Sequence, residues 1–375
     1  MKVSCSQEDL NKALAVVGRA TATRPVLPIT SHILLATEGS QLKLSATNLE
    51  IATSCWIAAT VEEEGTVTIP ARLVTDFVNS LPSGQIEITV PANSVNLELR
   101  SARSDAHISG LNAADFPTVP RIEEGIKVKL KAAAFRLAIS QVVFAAASEE
   151  SRPVLTGVLT KLNDGKLTMA AADGFRLAVH TMTLDEPVGE NVAIIIPARS
   201  FIELNRLLGD HEEFLELTIN PQISQVLFQM GNIEMVSQVI QGTFPNYEQL
   251  IPESCTTRAV VKLTDFLRAT RSASIFARDG SGIIRLQIMP RDGAGRIAVS
   301  ARAEEIGDNV GDIDAVVEGE ETKIAFNSKY LLDVLGVLSD DEVSLEITTS
   351  SSPGALRPVG KSDYLHVVMP MFVQW

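Results

Sequence analysis

Cysteine is scarce: Cys5, Cys55 and Cys255 lie far apart in 375 positions, with no Cys-x-x-Cys pair and no histidine close by. That spacing excludes a disulfide framework and a thiolate metal site, and it predicts buried free thiols. The five histidines (His32, His107, His180, His211, His366) are equally scattered, and His-Glu-x-x-His, Gly-x-x-x-x-Gly-Lys-Ser/Thr and Gly-x-Gly-x-x-Gly are all missing. Metal, nucleotide and other cofactors therefore have no support, and none is expected. No apolar run approaches the roughly 18 residues of a membrane span, and the opening MKVSCSQEDLNK has no apolar signal stretch. The expectation is a cytoplasmic chain with no membrane partner. Positive charge is also short, with 32 lysines and arginines against 46 acids for a net −14. Taken alone, that argues against a polyanionic partner.

What is present is a globular composition, 45% hydrophobic, over a length that outgrows a single core. It is also a composition written three times. TVTIPARLVTDFVNSLP at 66–82 and VAIIIPARSFIELNRLL at 192–208 each run from a β-branched stretch through Ile-Pro-Ala-Arg into an apolar helical pattern. TKIAFNSKYLLDVLGVL at 322–338 repeats the layout, aligning Asn327 with Ala71 and Ala198. LKLSATNLEIA at 42–52 returns as LTMAAADGFRL at 167–177 and IAVSARAEEIG at 297–307, offsets of 125 and 130. Phe116-Pro117 returns as Phe244-Pro245 and then as Met369-Pro370. A period near 125 is too long for a solenoid and predicts three domains, set at 1–121, 122–252 and 253–375.

Within each unit a strand leads to an amphipathic helix, alternating strands follow, and the Ile-Pro-Ala-Arg strand enters a second helix before a further strand set. Ser6 followed by Asp9 reads as a helix start, and Glu-Gly-Ser at 38–40 and Asn-Asp-Gly at 163–165 read as hairpin turns. The fold class is α+β, with two helices and about eight short strands per unit.

The six predicted helices, 7–19, 71–81, 131–144, 198–208, 264–278 and 327–338, hold eleven of the 32 basic residues but only six of the 46 acids. A mildly positive helical layer thus sits inside an acidic protein. If the helices line a hole, repulsion of a polyanion outside coexists with attraction inside. A row of three repeats leaves two bare strand edges, which head-to-tail pairing of two chains would close. Two sets of six helices, each roughly 10 Å thick, would then enclose a circle roughly 40 Å across, wide enough for a nucleic-acid duplex. Lys12, Arg19, Arg72, Lys131, Arg136, Arg199, Arg206, Arg268, Arg271 and Lys329 are the candidates to face it. Each by itself reads equally as a solvated surface cation; the asymmetry of the set is the argument. A lining without aromatic stacking holds phosphates loosely and reads no bases.

RPVLPITSHILL at 24–35, NAADFP at 112–117, ADGFRLAV at 172–179, GTFPNYEQLIP at 242–252 and VVMPM at 367–371, in that order and with that period, resemble the bacterial sliding-clamp family, the beta subunits of DNA polymerase III. The resemblance runs through essentially the whole chain. It implies a non-enzymatic homodimeric ring around duplex DNA, independent of sequence, loaded by an ATP-driven clamp loader. Such a ring tethers the catalytic subunit of the polymerase and other replication and repair proteins. It also implies an apolar cleft for partner peptides. The matching positions are Leu155, Ala172, Gly174, Phe175, Arg176 and Leu177 from the second repeat, Pro245 and Leu250 from the linker, and Asn327, Tyr330, Val367, Val368, Met369, Pro370 and Met371 from the third. Arg24 matches a loop arginine that touches DNA, and Ile108, Ile275 and Phe276 are expected at the dimer seam. Without the family, VVMPM reads as an edge strand packed in the core and Ile275-Phe276 as helix core. The chain departs from the family in Phe175, often histidine in relatives, and in the residues FVQW after MPM, which are expected to extend, narrow or cap the cleft.

Two other functions compete. An enzyme with its site between repeats would use Asp173, Arg176 and His180, but a strand over 175–180 points Arg176 and His180 to one face and Phe175, Leu177 and Val179 to the other. A monomeric peptide-binding scaffold without DNA would keep the cleft and leave the basic helices idle.

Overall fold

The computed structural model describes residues 1–22, 24–149, 151–209, 213–220, 222, 224–278, 282–291, 295–303 and 307–375; His211 lies outside them. Six α-helices are found there: α1 Gln7–Val17, α2 Ala71–Ser80, α3 Ala132–Val142, α4 Ala198–Leu207, α5 Leu263–Arg278 and α6 Ser328–Val337. The Ser6 side chain caps α1 by accepting the Asp9 N–H at 3.3 Å. The two hairpin turns form where Gly39 (φ 60°) and the pair Asp164 and Gly165 (φ 50° and 69°) supply the left-handed backbone they require.

The Ile-Pro-Ala-Arg strands, Thr66–Pro70 and Val192–Pro197, lie at sheet edges, as does Thr322–Asn327. An edge is where a proline removes no ladder bond. Register corrects the sequence alignment by one place. Pro70 stands opposite His32, Pro197 opposite Gly157 and Asn327 opposite Ile283, so Asn327 is the counterpart of the prolines and not of Ala71 and Ala198.

The chain forms two compact units, residues 1–133 with 202–239, and residues 134–201 with 240–375. The second repeat contributes residues to each. In the first unit α1 packs beside α2, and a five-stranded sheet accompanies an eight-stranded one. The eight-stranded sheet is built across a repeat boundary. Strand Ile233–Gln238 of the second repeat pairs antiparallel with Ile51–Ala58 of the first, Ile233 opposite Cys55 and Val236 opposite Ala52. In the second unit α5 packs beside α6, and Phe135 meets Phe201 edge to face at 6.0 Å. Its twelve-stranded sheet crosses the next boundary in the same way. Tyr364–Val368 pairs with Arg176–Thr183, Tyr364 opposite His180 and Val367 opposite Leu177.

In the remaining two places these positions lie at open edges. Among the described residues, Ser104–Ser109 pairs only with Asn96–Ser101. Residues 307–314 of strand Gly307–Gly319 likewise pair, among the described residues, only with Gly295–Ala303. Val310, the counterpart of Ser54 and Val179, is 63% exposed where those two are 3% and 9% exposed.

Cys5 and Cys55 are buried free thiols, and burial pushes their pKa up to about 12 and about 11. Cys255 corrects the expectation: it is exposed, in the stretch that links the second repeat to the third.

Candidate functional site

The second unit gathers most of the residues expected to form the cleft. Leu155, Ala172, Leu177 and Val367 belong to one apolar cluster with Ala170, Val179, Ile195, Phe244, Tyr247, Ala355 and Leu365. These residues make the floor, and Val368, fully buried, lies with them. The rim is open: Phe175, Leu250 and Met369 are 55%, 45% and 39% exposed, and Pro245 is exposed. The Met369 N–H donates to the Phe175 carbonyl at 2.8 Å, which brings VVMPM beside the Asp-Gly-Phe turn of the second repeat. Gly174 holds that turn at φ 95°, where an added Cβ would stand 3.2 Å from Arg152 Nη1. The turn thus favours glycine for its conformation.

Across the rim, Phe175 stacks on Tyr330 of α6 with ring centroids 6.4 Å apart. Asn327 orients that helix by accepting the N–H groups of Lys329 and Tyr330 at 2.9 and 3.4 Å. Burial, then the Asp173 charge, raise the Tyr330 pKa, so its hydroxyl stays neutral at ordinary pH.

Arg176, expected to line the cleft, acts beneath it. Its guanidinium donates to Asp173 at 3.0 Å, to Asp333 of α6 at 2.5 Å and to the Phe144 carbonyl at 2.7 Å. It also lies over the rings of Tyr330 (4.5 Å) and Phe144 (5.3 Å). The arginine therefore ties the turn to α6 and sets the distance between the two walls. Sequence reasoning missed Asp333 and Phe144. A signal existed for the first, since α2 and α4 carry Asp76 and Glu203 at the corresponding helix position.

The enzyme reading loses its site. The Asp173 carboxylate already accepts from Arg176 and from the N–H groups of Phe175 and Arg176. His180 is buried against Gln141 Oε1 at 2.8 Å, and burial lowers its pKa. No described residues form a group of three or more metal-ligating side chains.

Of the basic candidates, Lys12, Arg19, Arg24, Arg72, Lys131, Arg199, Arg206, Arg268, Arg271 and Lys329 are exposed and Arg136 is half-buried. Arg72 pairs with Asp76 of its own helix at 3.9 Å, Arg206 with Glu203 at 2.6 Å, and Arg268 with Asp265. Of the seam candidates, Ile275 is 61% exposed and Phe276 half-buried, whereas Ile108 is buried in its own sheet at 3%. Ile108 supports the edge strand from beneath, and Asp105, His107 and Ser109 are the exposed side chains there.

A threefold α+β repeat joined edge to edge by its strands, with a buried apolar cluster flanked by exposed Phe175, Leu250 and Met369 at one joint, defines the clamp class of protein. Comparison with known proteins agrees throughout the chain. Models of the N-terminal, central and C-terminal domains of the DNA polymerase III beta subunit match residues 1–120, 129–246 and 248–372. The beta sliding clamp of Synechococcus elongatus is 30% identical over 374 residues, 99% of each chain, and that of Bacillus subtilis 29% over 381 residues, again 99% of each. The crystal structure of the B. subtilis DNA polymerase sliding clamp superposes with a TM-score of 0.95 at 29% identity, covering both chains completely. The structure of DNA polymerase III subunit beta from Pseudomonas aeruginosa gives 0.93 at 29% over the same coverage. The chain belongs to the beta sliding clamp family, and its fold is the three-domain clamp fold. No helix among the described residues is long and apolar enough to cross a membrane.

Proposed function

We propose that the chain is a replication processivity factor without catalytic activity of its own, in which two copies close head to tail into a ring threaded by duplex DNA. Its domains are 1–121, 122–252 and 253–375, and it acts in the cytoplasm. The observation that carries this reading is the strand joint made twice within the chain and left unmade at two complementary edges. Continuing the same register sets His107 of one copy opposite Asp308 of the partner subunit and Ala106 opposite Asn309 of the partner subunit. Val310 is then covered as Ser54 and Val179 are covered. Ile275 and Phe276 sit where Phe144 sits in the second repeat, and Phe144 stacks across its joint on His366 with centroids 5.4 Å apart. Apolar side chains bare in one copy thus gain the packing that their counterparts already have.

Inside such a ring, Lys12, Arg19, Arg24, Arg271 and Lys329 have no acid partner among the described residues and supply a weak, sequence-blind field for phosphates. Self-paired Arg72, Arg206 and Arg268 add less. Weak attraction suits a molecule held by enclosure, because it lets the ring slide. A clamp loader opens the ring, and the polymerase III catalytic subunit and other replication and repair proteins dock a peptide in the cleft of Leu155, Phe175, Leu250, Tyr330, Met369 and Met371. Met side chains adapt to several such peptides.

Retention on nicked circular DNA after loading, followed by linearisation, tests the reading. The expected result is quantitative release at the free ends. Retention that survives linearisation and responds only to salt would establish ordinary electrostatic binding instead.

A further inference from the structure

Residues 372–375 follow the cleft wall, and the threefold repeat shows what they replace. Each repeat's exit segment donates one N–H to the edge strand: Leu111 to the Thr68 carbonyl at 3.1 Å, Ile240 to Ile195 at 2.8 Å and Met371 to Ala325 at 2.8 Å. Four residues beyond Ile240, Phe244 is 9% exposed, seated in the cluster that includes Leu155, Ile195 and Leu159. Four residues beyond Met371 stands Trp375, 54% exposed. Its strand neighbours differ. Leu159 faces Ile195 in the second repeat, and Arg285 faces Ala325 in the third. Trp375 accordingly meets a cation: Lys323 Nζ is 5.6 Å from its ring centroid, and next to it Arg285 Nη2 donates to the Gln374 carbonyl at 3.2 Å. Neither cation pairs with a carboxylate among the described residues, and Phe372 is 86% exposed beside Met371. Two bare aromatics and two uncompensated cations continue the rim formed by Met369 and Met371.

We propose that Phe372, Trp375, Arg285 and Lys323 form a second docking site, continuous with the cleft, for the flank of a partner segment longer than the cleft itself. The proposal rests on the cleft reading above. The flank it fits carries an aromatic or large apolar residue beside acids: the ring covers Phe372 and Trp375, and a carboxylate bridges the two cations. This makes the chain selective for extended, acidic partner segments.

Fluorescence anisotropy on the full chain tests it with labelled probes of three kinds. One is the tetrapeptide Leu-Ala-Leu-Phe, whose apolar side chains suit the floor and whose ring suits the aromatic rim. The second carries Gly-Asp-Trp-Glu at one end or the other, and the third carries Gly-Ser-Gly-Ser. The acidic aromatic extension is expected to tighten binding about tenfold at one end, with no gain from Gly-Ser-Gly-Ser. Phe372→Ser with Trp375→Ser, and separately Lys323→Glu with Arg285→Glu, are expected to abolish that gain while leaving the tetrapeptide unchanged. A gain that survives either pair of substitutions, or no gain at either end, overturns the proposal but not the cleft. A tetrapeptide that binds no better than its scrambled form, with or without Met369→Ala, overturns the cleft reading and this proposal together.

Discussion

His366 shows how a single buried side chain couples this fold to pH. It is completely buried at the joint between the second and third repeats, its Nε2 has no hydrogen-bond partner among the described residues, and its ring is stacked on Phe144. Burial, reinforced by the nearby Arg176 charge, drives its pKa down to about 3. The folded state therefore holds the imidazole neutral, while the unfolded chain takes up a proton below about pH 6.5. Stability contributed by the neutral ring is present above that pH and lost as pH falls, by about 1.4 kcal/mol per unit, until the folded value is reached. The first joint places Met235 at the corresponding position, opposite Thr53. His366→Met is expected to lose about 2 kcal/mol less stability than the parent between pH 7 and pH 5, read from urea unfolding at the two pH values. An equal loss in both proteins would mean that His366 is not the titrating group. Arg176, a few ångströms away, carries the opposite lesson: a charge can be buried here because three acceptors and two rings surround it.

At the scale of elements, α6 carries Tyr330 of the proposed cleft, and its start differs from that of α2. Pro70 stands at the head of α2 with no side-chain hydrogen bond, whereas Asn327 caps α6 with its carboxamide oxygen. Asn327→Ala is expected to cost about 1 kcal/mol of stability. Because Tyr330 is one of the two residues whose N–H the cap accepts, cleft peptides should also bind several-fold more weakly. Thermal unfolding and peptide titration check the two parts, and a stability loss with unchanged affinity would separate the cap from the cleft. The strand–helix alternation was legible from β-branched runs and apolar spacing. The alignment of Asn327 was not, because in the sequence Asn-Ser resembles Ala-Arg more than Pro-Ala, and only the hydrogen-bonded ladder counts residues across strands.

At the scale of the whole molecule, ring closure depends on apolar groups that one copy leaves in water. Ile275→Asp with Phe276→Asp places two carboxylates at the proposed seam. Gel filtration should move from near twice the 40.3 kDa chain mass to the chain mass itself. Retention on circular DNA should disappear with it, while the cleft peptide binds as before. A dimer that persists, or a monomer that has lost the cleft as well, would refute the placement of the seam. Ile108 cannot be tested in the same way. Its side chain is enclosed by its own sheet, so replacing it would report on folding and not on assembly.

The sequence by itself determined the threefold period, the fold class and the turn and helix signals, because these are written as local patterns and as copies of one another. Tertiary structure alone decided three things. It made Arg176 a tie beneath the cleft instead of a wall of it, it left Cys255 and Trp375 exposed, and it set the register by which one repeat adds its strand to the next. All three depend on which groups the folded chain brings together from separate elements. That is a matter of hydrogen-bond pairing and enclosure, for which no stretch of sequence carries a signal of its own.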